Sequence, residues 1–278
     1  MICFPKAKIN LGLNIIEKRD DGFHNIETVF YPLQWCDVLE VIGSESGIRS
    51  LEKKEKIEFM LSGLNVNGDF KNNLCVKAYD LLDKEFDLSA VKIHLHKIIP
   101  MGAGLGGGSA DAAFTLKLLN VIFNLKLNID VLKNYAQQLG SDVPFFIENA
   151  PVFAHGRGEL MEKINVSLKE HFILIVKPGI HISTAEAYSN VKLNKPEKSI
   201  KEILRLPITE WKNFLKNDFE ETVFRKFPLI NEIKNKMYEQ GALYVSMSGS
   251  GSAVYGIFKE VSFGEKEFSN CTTWSGKL

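Results

Sequence analysis

The sequence of 278 residues predicts an α+β protein made of two domains. Its length suits one large domain or two modest ones. Segments with alternating apolar residues, which are typical of strands, are interspersed with segments whose apolar residues recur at helical spacing. The composition changes over residues 155–168, so we expect one domain at residues 1–160 and a second at residues 161–278.

The first hundred residues are rich in strand patterns. The segment "AKINLGLNII" predicts a strand, and Asp21-Gly22 marks the turn after it. "ETVFYPLQ" and "DVLEVIG" predict two strands separated near Pro32, and "KIEFMLSG" predicts another. "NLCVKAYDLLDKEF" has the spacing of a helix. "AVKIHLHKII" predicts a half-exposed strand whose polar face carries His94 and His96. Two histidines could suit a metal, but no third ligand is apparent, so we interpret this face as solvated.

The remaining segments predict both helices and strands. A helix should follow the glycine-rich stretch and run to about Asn124, and "NIDVLKNYAQQLG" predicts a helix that ends at Gly140. "SDVPFFI" predicts a loop and a short strand, and "FILIVKPG" predicts a buried strand. "VKLNKPEKSIKEI" is polar and lysine-rich, which indicates a surface connection. "FPLINEIKNKMYEQG" predicts a helix that ends at Gly241, and "ALYVSMSGSGSAVYGIF" predicts two strands joined by a Gly/Ser loop.

The charge and composition exclude several classes of protein. Lys plus Arg number 34 and Asp plus Glu number 34, so the formal net charge is zero and neither a nucleic acid nor a membrane is expected as a partner. No segment has the roughly 18 consecutive apolar residues that a membrane span needs, and the first ten residues lack the pattern of a signal peptide. The four cysteines are scattered, which favours reduced thiols in a cytoplasmic protein.

The glycine-rich stretch "KIIPMGAGLGGGSADAAFTLKLL" contains the pattern G-x-G-x-x-G at Gly102, Gly104 and Gly107. Dinucleotide-binding proteins place this pattern after a buried parallel strand and have an acidic residue about 20 positions later, at the end of a second strand. Here the preceding strand is half-exposed, and Asp130 in the corresponding region opens a helix. A Walker A loop also fails, because no Gly-Lys-Ser/Thr ends the stretch. A dinucleotide-dependent oxidoreductase therefore stays only as an alternative.

The same stretch has the physical properties of an anion-binding loop. Glycines let backbone N–H groups approach an anion closely, and the following helix offers unpaired N–H groups at the positive end of its dipole. Ser109 is placed to cap that helix, or to bind phosphate or a metal-bridged oxygen. Ala110, Ala112 and Ala113 keep the first turn slim. We therefore expect a phosphate loop, and a glycine-rich hairpin without a ligand is the alternative.

Several motifs, which follow one another in the family's order, resemble those of the GHMP kinase superfamily. They are "PKAKINLGLNI", "RDDGFHNIETVF", "PMGAGLGGGSA", "LGSDVPFF" and "SMSGSGSAVYGIF". The second motif is similar to the substrate segment of members that phosphorylate the 2-hydroxyl of 4-diphosphocytidyl-2-C-methyl-D-erythritol, on the non-mevalonate route to isoprenoids. Those members commonly have tyrosine where this sequence has Phe23. It speaks against another kinase of the superfamily, such as homoserine kinase, which is the alternative.

The resemblance implies a fold as well as an activity. The N-terminal domain should have the ribosomal-protein-S5-domain-2-like fold, and the C-terminal domain should be ferredoxin-like. ATP would be the phosphoryl donor, and the partner would be a small cytidine diphosphate-linked substrate. The resemblance is weak over residues 191–221, and it leaves open whether the protein is a monomer or a weak homodimer.

The resemblance also implies the residues that act on the substrate. Lys8 and Asp142 would be the catalytic pair, in which Asp142 is the base for the acceptor hydroxyl and Lys8 holds it ionised and orients the hydroxyl. His24 would bind the cytosine edge, while Phe23 and Tyr188 would stack on the two faces of that ring. Asn10 and Thr184 would also contact the substrate.

The nucleotide would be bound by the loop and by residues near it. The residues of the phosphate loop would be Pro100, Met101, Gly102, Ala103, Gly104, Leu105, Gly106, Gly107, Gly108, Ser109 and Ala110. Asn73 and Lys97 would contact the nucleotide. Ser109 would help to hold Mg²⁺, which would arrive with ATP because no cage of carboxylates is apparent. The loop at residues 249–251 would support the phosphate loop or the substrate's diphosphate.

Overall fold

A computed structural model describes residues 1–43, 56–65, 69–189, 191, 193, 196–261 and 264–278. The contacts between its residues divide the chain into two compact units. The first unit comprises residues 1–7, 36–101 and 106–149, and the second comprises residues 8–35, 102–105 and 150–278. Each unit draws on separate stretches of the chain, and the boundary expected at residue 160 stays a prediction.

The strands and helices follow the chain in this order. The strands are β1 (Ile2–Cys3), β2 (Lys6–Lys18), β3 (His24–Cys36), β4 (Val38–Gly43), β5 (Ile57–Gly63), β6 (Val91–Lys97), β7 (Val152–Gly156), β8 (Leu160–Lys163), β9 (Phe172–Lys177), β10 (Tyr244–Met247), β11 (Val254–Phe258) and β12 (Thr272–Lys277). The helices are α1 (Leu74–Phe86), α2 (Gly107–Ile122), α3 (Ile129–Leu139), α4 (Phe145–Glu148), α5 (Thr184–Tyr188), α6 (Ile200–Ile203), α7 (Ile208–Phe214), α8 (Phe219–Lys226) and α9 (Pro228–Glu239).

The first unit combines one sheet with four helices of the described chain. The sheet has the order β1-β4-β6-β5, in which only β5 and β6 are parallel. Such a mostly antiparallel sheet differs from the parallel sheet of dinucleotide-binding folds. Helix α2 contacts α1, α3, α4 and β4. Its alanines at positions 110, 112 and 113 are fully buried, so the start of this helix packs closely against its neighbours.

The second unit contains two four-stranded sheets. One has the order β2-β3-β7-β8 and the other has the order β10-β11-β9-β12. In the second sheet every pair is antiparallel, and the first and second strands along the chain are separated by the third. This is the ferredoxin-like arrangement, although a 3₁₀ turn at Glu265–Phe268 stands where that fold usually has its second helix. The hydrophobic core beneath it joins this sheet to α8 and α9.

Most predicted elements are confirmed, and two are wrong. The break near Pro32 does not occur, because β3 continues to Cys36. The pairing of β3 with β7 ends at Phe30, so the missing N–H of Pro32 lies beyond that ladder and costs it no hydrogen bond. The short strand in "SDVPFFI" is instead the helix α4. Pro144 precedes it with φ −58° and ψ −30°, which are helical values.

The polar connection after residue 190 is only partly within the described residues. Residues 190, 192 and 194–195 fall outside them, and the described part continues into α6. No helix among the described residues is long and apolar enough to cross a membrane.

Candidate active site

Residues 102–105 of the glycine-rich stretch pack directly against the β10–β11 hairpin of the second unit. Gly104 has a φ of +76°, and a Cβ built on it would lie 1.9 Å from the carbonyl oxygen of Ser248. The Ser248 hydroxyl donates a hydrogen bond of 2.8 Å to the carbonyl of Gly104, and the N–H of Ala253 donates one of 3.2 Å to the carbonyl of Ala103. Only glycine fits at position 104. The Gly/Ser hairpin supports the glycine-rich loop, which is one of the two roles expected for it.

Lys8 is the charged group at the centre of this arrangement. It is 3% exposed within β2, and its Nζ donates hydrogen bonds to Asn10 Oδ1 at 2.6 Å and to the Gly104 carbonyl at 3.0 Å. The backbone N–H of Lys8 donates to the Leu105 carbonyl at 2.9 Å. Strand alternation explains why Lys8 and Asn10 lie on the same face of β2. The structure therefore brings these two predicted residues together with the loop.

Two further residues hold Asn10 in place. Its amide Nδ2 donates to Thr28 Oγ1 at 2.9 Å, and the Thr28 hydroxyl donates to the Gly12 carbonyl at 2.6 Å. Tyr255 donates to the Asn10 carbonyl at 2.7 Å. Because all three polar side chains are buried, each bond is costly to lose. Thr28, Ser248 and Tyr255 were missed in the sequence, where the only signal was a polar residue within an otherwise apolar strand or a loop motif.

The residues expected to bind cytosine form a second cluster in the same unit. The rings of His24 and Tyr188 are stacked, with centroids 4.6 Å apart and planes 20° apart. The pKa of His24 is lowered, chiefly by burial and then by the charge of Lys18, so the imidazole is neutral near pH 7. Phe23 is 56% exposed, and the Arg157 guanidinium lies 5.0 Å from its ring centroid. The two stacking contacts with cytosine stay predictions.

Thr184 is the first residue of α5. Ser183 caps this helix, because its hydroxyl accepts a hydrogen bond of 3.1 Å from the N–H of Glu186. Tyr188 is the last residue of the same helix. One short helix thus holds both of the predicted substrate residues from this part of the chain.

In the first unit, the remainder of the glycine-rich stretch opens α2. Gly106 is the residue before the helix and has a φ of +70°, and it provides no side-chain cap. Ser109 lies inside the first turn, so the capping role considered for it is wrong, while phosphate or metal contact stays a prediction. The first N–H groups of α2 therefore have no side-chain acceptor from the residue at the cap, which leaves them suited to bind an anion.

A cavity of about 290 Å³ lies beside this helix start, within the first unit. Its walls are largely apolar, and its polar groups include Asn73 and Lys97, the two predicted nucleotide contacts. Other residues around it include Phe59, Leu61, Phe70, Leu74, Leu95, Met101, Gly108 and Asp111. Asn73 also caps α1, since its Oδ1 accepts a hydrogen bond from the N–H of Cys75. The structure thus brings Asn73, Lys97 and Met101 together around one concave site.

Lys97 is buried between two carboxylates that were not predicted. Its Nζ donates to Asp37 Oδ2 and, at 2.8 Å, to Asp111 Oδ2. Burial would lower the pKa of Lys97, but the negative charges of Asp111 and Asp37 outweigh it and raise that pKa. The sequence signals were an aspartate directly before a strand and another among the alanines of α2.

Asp142 lies in a tight turn between α3 and α4 and is partly exposed. The N–H of Val143 bonds back to the Gly140 carbonyl at 3.2 Å, which fixes the turn. Asp142 belongs to the first unit and Lys8 to the second, and their catalytic pairing stays a prediction. Among the described residues, no group of three or more His, Cys, Asp or Glu could hold a metal ion.

His94 and His96 are linked by a serine rather than arranged around a metal. The Ser62 hydroxyl lies 2.8 Å from His94 Nε2 and 2.9 Å from His96 Nδ1. This agrees with the polar face expected for β6.

Comparisons with known proteins fit the fold and these motifs. The family model for the N-terminal domain of GHMP kinases matches residues 73–150, and the model for their C-terminal domain matches residues 199–265. These matches and the two-domain α+β fold define a kinase of the GHMP class.

The chain is also similar to more specific relatives. It is 54% identical to the 4-diphosphocytidyl-2-C-methyl-D-erythritol kinase of Bacteroides thetaiotaomicron, over 93% of this chain and 92% of that one. It is 49% identical to the protein of the same name from Parabacteroides distasonis, over the full length of both. A crystal structure of 4-(cytidine 5'-diphospho)-2C-methyl-D-erythritol kinase matches with a TM-score of 0.83 and 29% identity, over 99% of this chain and 98% of that one. The chain belongs to the family of 4-diphosphocytidyl-2-C-methyl-D-erythritol kinases, and the oxidoreductase alternative is wrong.

Proposed function

We propose that the chain transfers the γ-phosphoryl group of ATP to the 2-hydroxyl of 4-diphosphocytidyl-2-C-methyl-D-erythritol, which gives the 2-phosphate and ADP. This reaction is a step of the non-mevalonate route to isoprenoid precursors. The observation that carries the proposal is the buried Lys8, which is hydrogen-bonded to both Asn10 and the Gly104 carbonyl of the loop. Lys8 is almost fully buried, and because an unpaired buried ammonium would be strongly destabilising, these hydrogen bonds hold it in a polar site beside the loop.

The chemistry asks for positioning and for charge more than for covalent catalysis. In our proposal Asp142 accepts the proton of the 2-hydroxyl as its oxygen attacks the γ-phosphorus. The bond from that phosphorus to the bridging oxygen breaks, and ADP leaves. Lys8 offsets the negative charge that develops, and it orients the 2-hydroxyl. The loop at residues 102–110 binds the phosphates through backbone N–H groups at the start of α2.

The cytosine of the substrate and the nucleoside of ATP would bind at different places. The cytosine ring of the substrate would stack on Phe23 and Tyr188, with His24 at its edge and Asn10 and Thr184 nearby. What supports this is that the rings of His24 and Tyr188 lie together, with centroids 4.6 Å apart, so two of the proposed substrate residues belong to one aromatic cluster.

The ATP nucleoside would enter the 290 Å³ cavity beside α2. Asn73 and Lys97, which line it, would contact the nucleotide. Magnesium ions neutralise phosphate charge in such reactions, and they take few protein ligands in kinase sites. The hydroxyl of Ser109, in the first turn of α2, suits a single ligand of this kind. The side chain of Asp111 is already engaged by Lys97.

The proposal also covers the cellular compartment and the oligomeric state of the protein. The four cysteines are all free thiols, which fits a cytoplasmic enzyme. We expect a monomer or a weak homodimer.

The test measures ADP release with 4-diphosphocytidyl-2-C-methyl-D-erythritol and with homoserine as acceptors, and NAD(P)H absorbance serves as a control for redox activity. We expect turnover with the cytidyl substrate alone. The variant Asp142→Asn should lose about 10²–10⁴-fold in kcat because it lacks the base. Asp130→Asn, in the first turn of α3, is the matched control and should retain kcat. Near-normal turnover of a folded Asp142→Asn variant would show that the assignment of the base is wrong.

A further inference from the structure

Phe23 is an aromatic residue that its surroundings leave largely open to solvent. It lies directly before β3 and is 56% exposed. In the proposed function its ring stacks on the cytosine of the substrate. Phe23 has no hydroxyl that a hydrogen bond could anchor, so the orientation of its ring depends on the groups that contact it. These contacts decide whether the ring is ready to stack before the substrate arrives.

The backbone of Phe23 is held within the turn between β2 and β3. Its N–H donates a hydrogen bond of 3.1 Å to Asp21 Oδ1, and its carbonyl accepts one of 2.8 Å from the N–H of Arg19. The next residue, His24, begins β3 and stacks on Tyr188. With the backbone fixed in this way, rotation of the side chain is the main freedom that Phe23 retains.

Strand pairing brings a second turn to the same place. Gly156, the last residue of β7, lies opposite Ile26 of β3 in their antiparallel ladder. Arg157 is the next residue along the chain, so it lies at the end of the ladder where Phe23 precedes β3. The guanidinium carbon of Arg157 lies over the Phe23 ring, 5.0 Å from its centroid, which is within the range of a cation–π contact.

Arg157 is in turn held by Glu159 of the turn between β7 and β8. The backbone N–H of Arg157 donates to Glu159 Oε2 at 2.5 Å, and Arg157 Nε lies 3.7 Å from Glu159 Oε1. The Glu159 side chain is mostly buried, while that of Arg157 is partly exposed. The guanidinium can therefore cover the ring of Phe23 without the cost of burying its charge.

The guanidinium covers one face of the Phe23 ring and leaves the opposite face for a ligand. The face of an aromatic ring is electron-rich, so two stacked rings repel each other in part. A cation behind the ring draws electron density toward itself and reduces this repulsion. The arrangement therefore suits a second flat aromatic group, such as cytosine, on the open face.

We propose that Arg157 is a positioning residue that holds the Phe23 ring in the orientation that stacks on the cytosine of the substrate. Arg157 acts through Phe23 and needs no contact with the reacting atoms or with ATP. It therefore affects the binding of the cytidyl substrate and not the rate of phosphoryl transfer. This inference rests on the proposed function.

The test compares the steady-state kinetics of the unmodified protein, Arg157→Ala and Arg157→Lys. Arg157→Ala should raise the KM for the cytidyl substrate roughly two- to fivefold, which is the contribution of an exposed cation–π contact, with kcat and the KM for ATP unchanged. Arg157→Lys should give an intermediate KM, because it retains the charge but not the planar group. The matched control is Arg225→Ala, which removes an exposed arginine that pairs with Glu221 on α8, and it should leave all three constants unchanged.

A double-mutant cycle tests whether Arg157 acts through the ring. In the Phe23→Leu background, Arg157→Ala should no longer change the KM for the cytidyl substrate, because leucine has no aromatic face for the cation. An arginine that contacted the substrate directly would raise this KM by the same factor in both backgrounds, and that result would overturn the proposal.

The other outcomes separate this inference from the proposed function. If the unmodified protein phosphorylates the cytidyl substrate but Arg157→Ala leaves its KM unchanged, or lowers kcat instead, this inference alone is overturned. If the unmodified protein does not phosphorylate the cytidyl substrate, the proposed function fails and the inference fails with it.

Discussion

Replacing Gly104 with alanine should damage both the stability and the activity of the protein. At a φ of +76° the added Cβ costs about 1 kcal/mol of backbone strain. It would also lie 1.9 Å from the carbonyl oxygen of Ser248, where 3.0 Å is the practical limit, so the two backbones must separate by about 1 Å. Overpacking of this kind costs a further 1–3 kcal/mol, roughly. We expect a total loss of about 2–4 kcal/mol in the free energy of unfolding.

The effect on catalysis follows from the same displacement. The Gly104 carbonyl accepts hydrogen bonds from Lys8 Nζ and from the Ser248 hydroxyl. A shift of about 1 Å would move Lys8 or break its bond, and misplacement of this size costs about 10²-fold in rate. Urea unfolding gives the first quantity, and the initial rate of ADP release at saturating substrate gives the second.

The matched control is Gly241→Ala. Gly241 has a φ of +89°, but a Cβ there meets no atom within 4 Å, so only the strain of about 1 kcal/mol applies. The difference between the two variants isolates the contact with Ser248. If Gly104→Ala is no less stable than Gly241→Ala and retains its kcat, the close packing of the loop on the hairpin does not support the site as we have described.

The remaining predictions concern two ionisable groups, His24 and Asp111. His24→Ala should raise the KM for the cytidyl substrate more than it lowers kcat, since His24 is proposed to bind the base and not the reacting atoms. Steady-state kinetics measure both quantities. A fall in kcat with an unchanged KM would contradict the binding role. Because the pKa of His24 is lowered by burial, this KM should stay constant from pH 9 to about 6.5 and rise only in more acidic solution. Asp111 has a pKa raised to about 7 in the folded protein, so the stability that its protonated form contributes is lost as the pH rises through 7. Urea unfolding from pH 5 to 8 should show this decline in the unmodified protein and a flatter profile in Asp111→Asn, and identical profiles would contradict it.

The strands and long helices could be predicted because their apolar patterns are strong. Strand β6 alternates, and its apolar residues Val91, Ile93 and Leu95 are buried. Helix α3 ends at Gly140 as its sequence indicates. The pattern gave less information at short elements, because a four-residue helix such as α4 presents too few residues to show a period.

The residues of the candidate site also differ in how far the sequence could predict them. The glycine pattern alone predicted a phosphate loop and left open several kinds of ligand, and resemblance was needed to single out Lys8, His24 and Asp142. The partners of Lys97 could not be predicted, because its ion pairs with Asp37 and Asp111 join residues that are 60 and 14 positions apart in the chain. Residues such as Thr28 look like ordinary strand residues until the hydrogen bonds to Asn10 are known.

The position of Lys8 on a strand makes the site sensitive to length as well as to chemistry. Strand β2 is buried along both faces from Ala7 to Asn14, so no turn within that span can absorb an inserted or deleted residue. A slip of one position would present Ala7 and Ile9 to the loop and carry the ammonium of Lys8 into the apolar side of the sheet. A deletion of a single codon before residue 6 would therefore be better tolerated than one at residues 11–14, even though neither removes a predicted active-site residue.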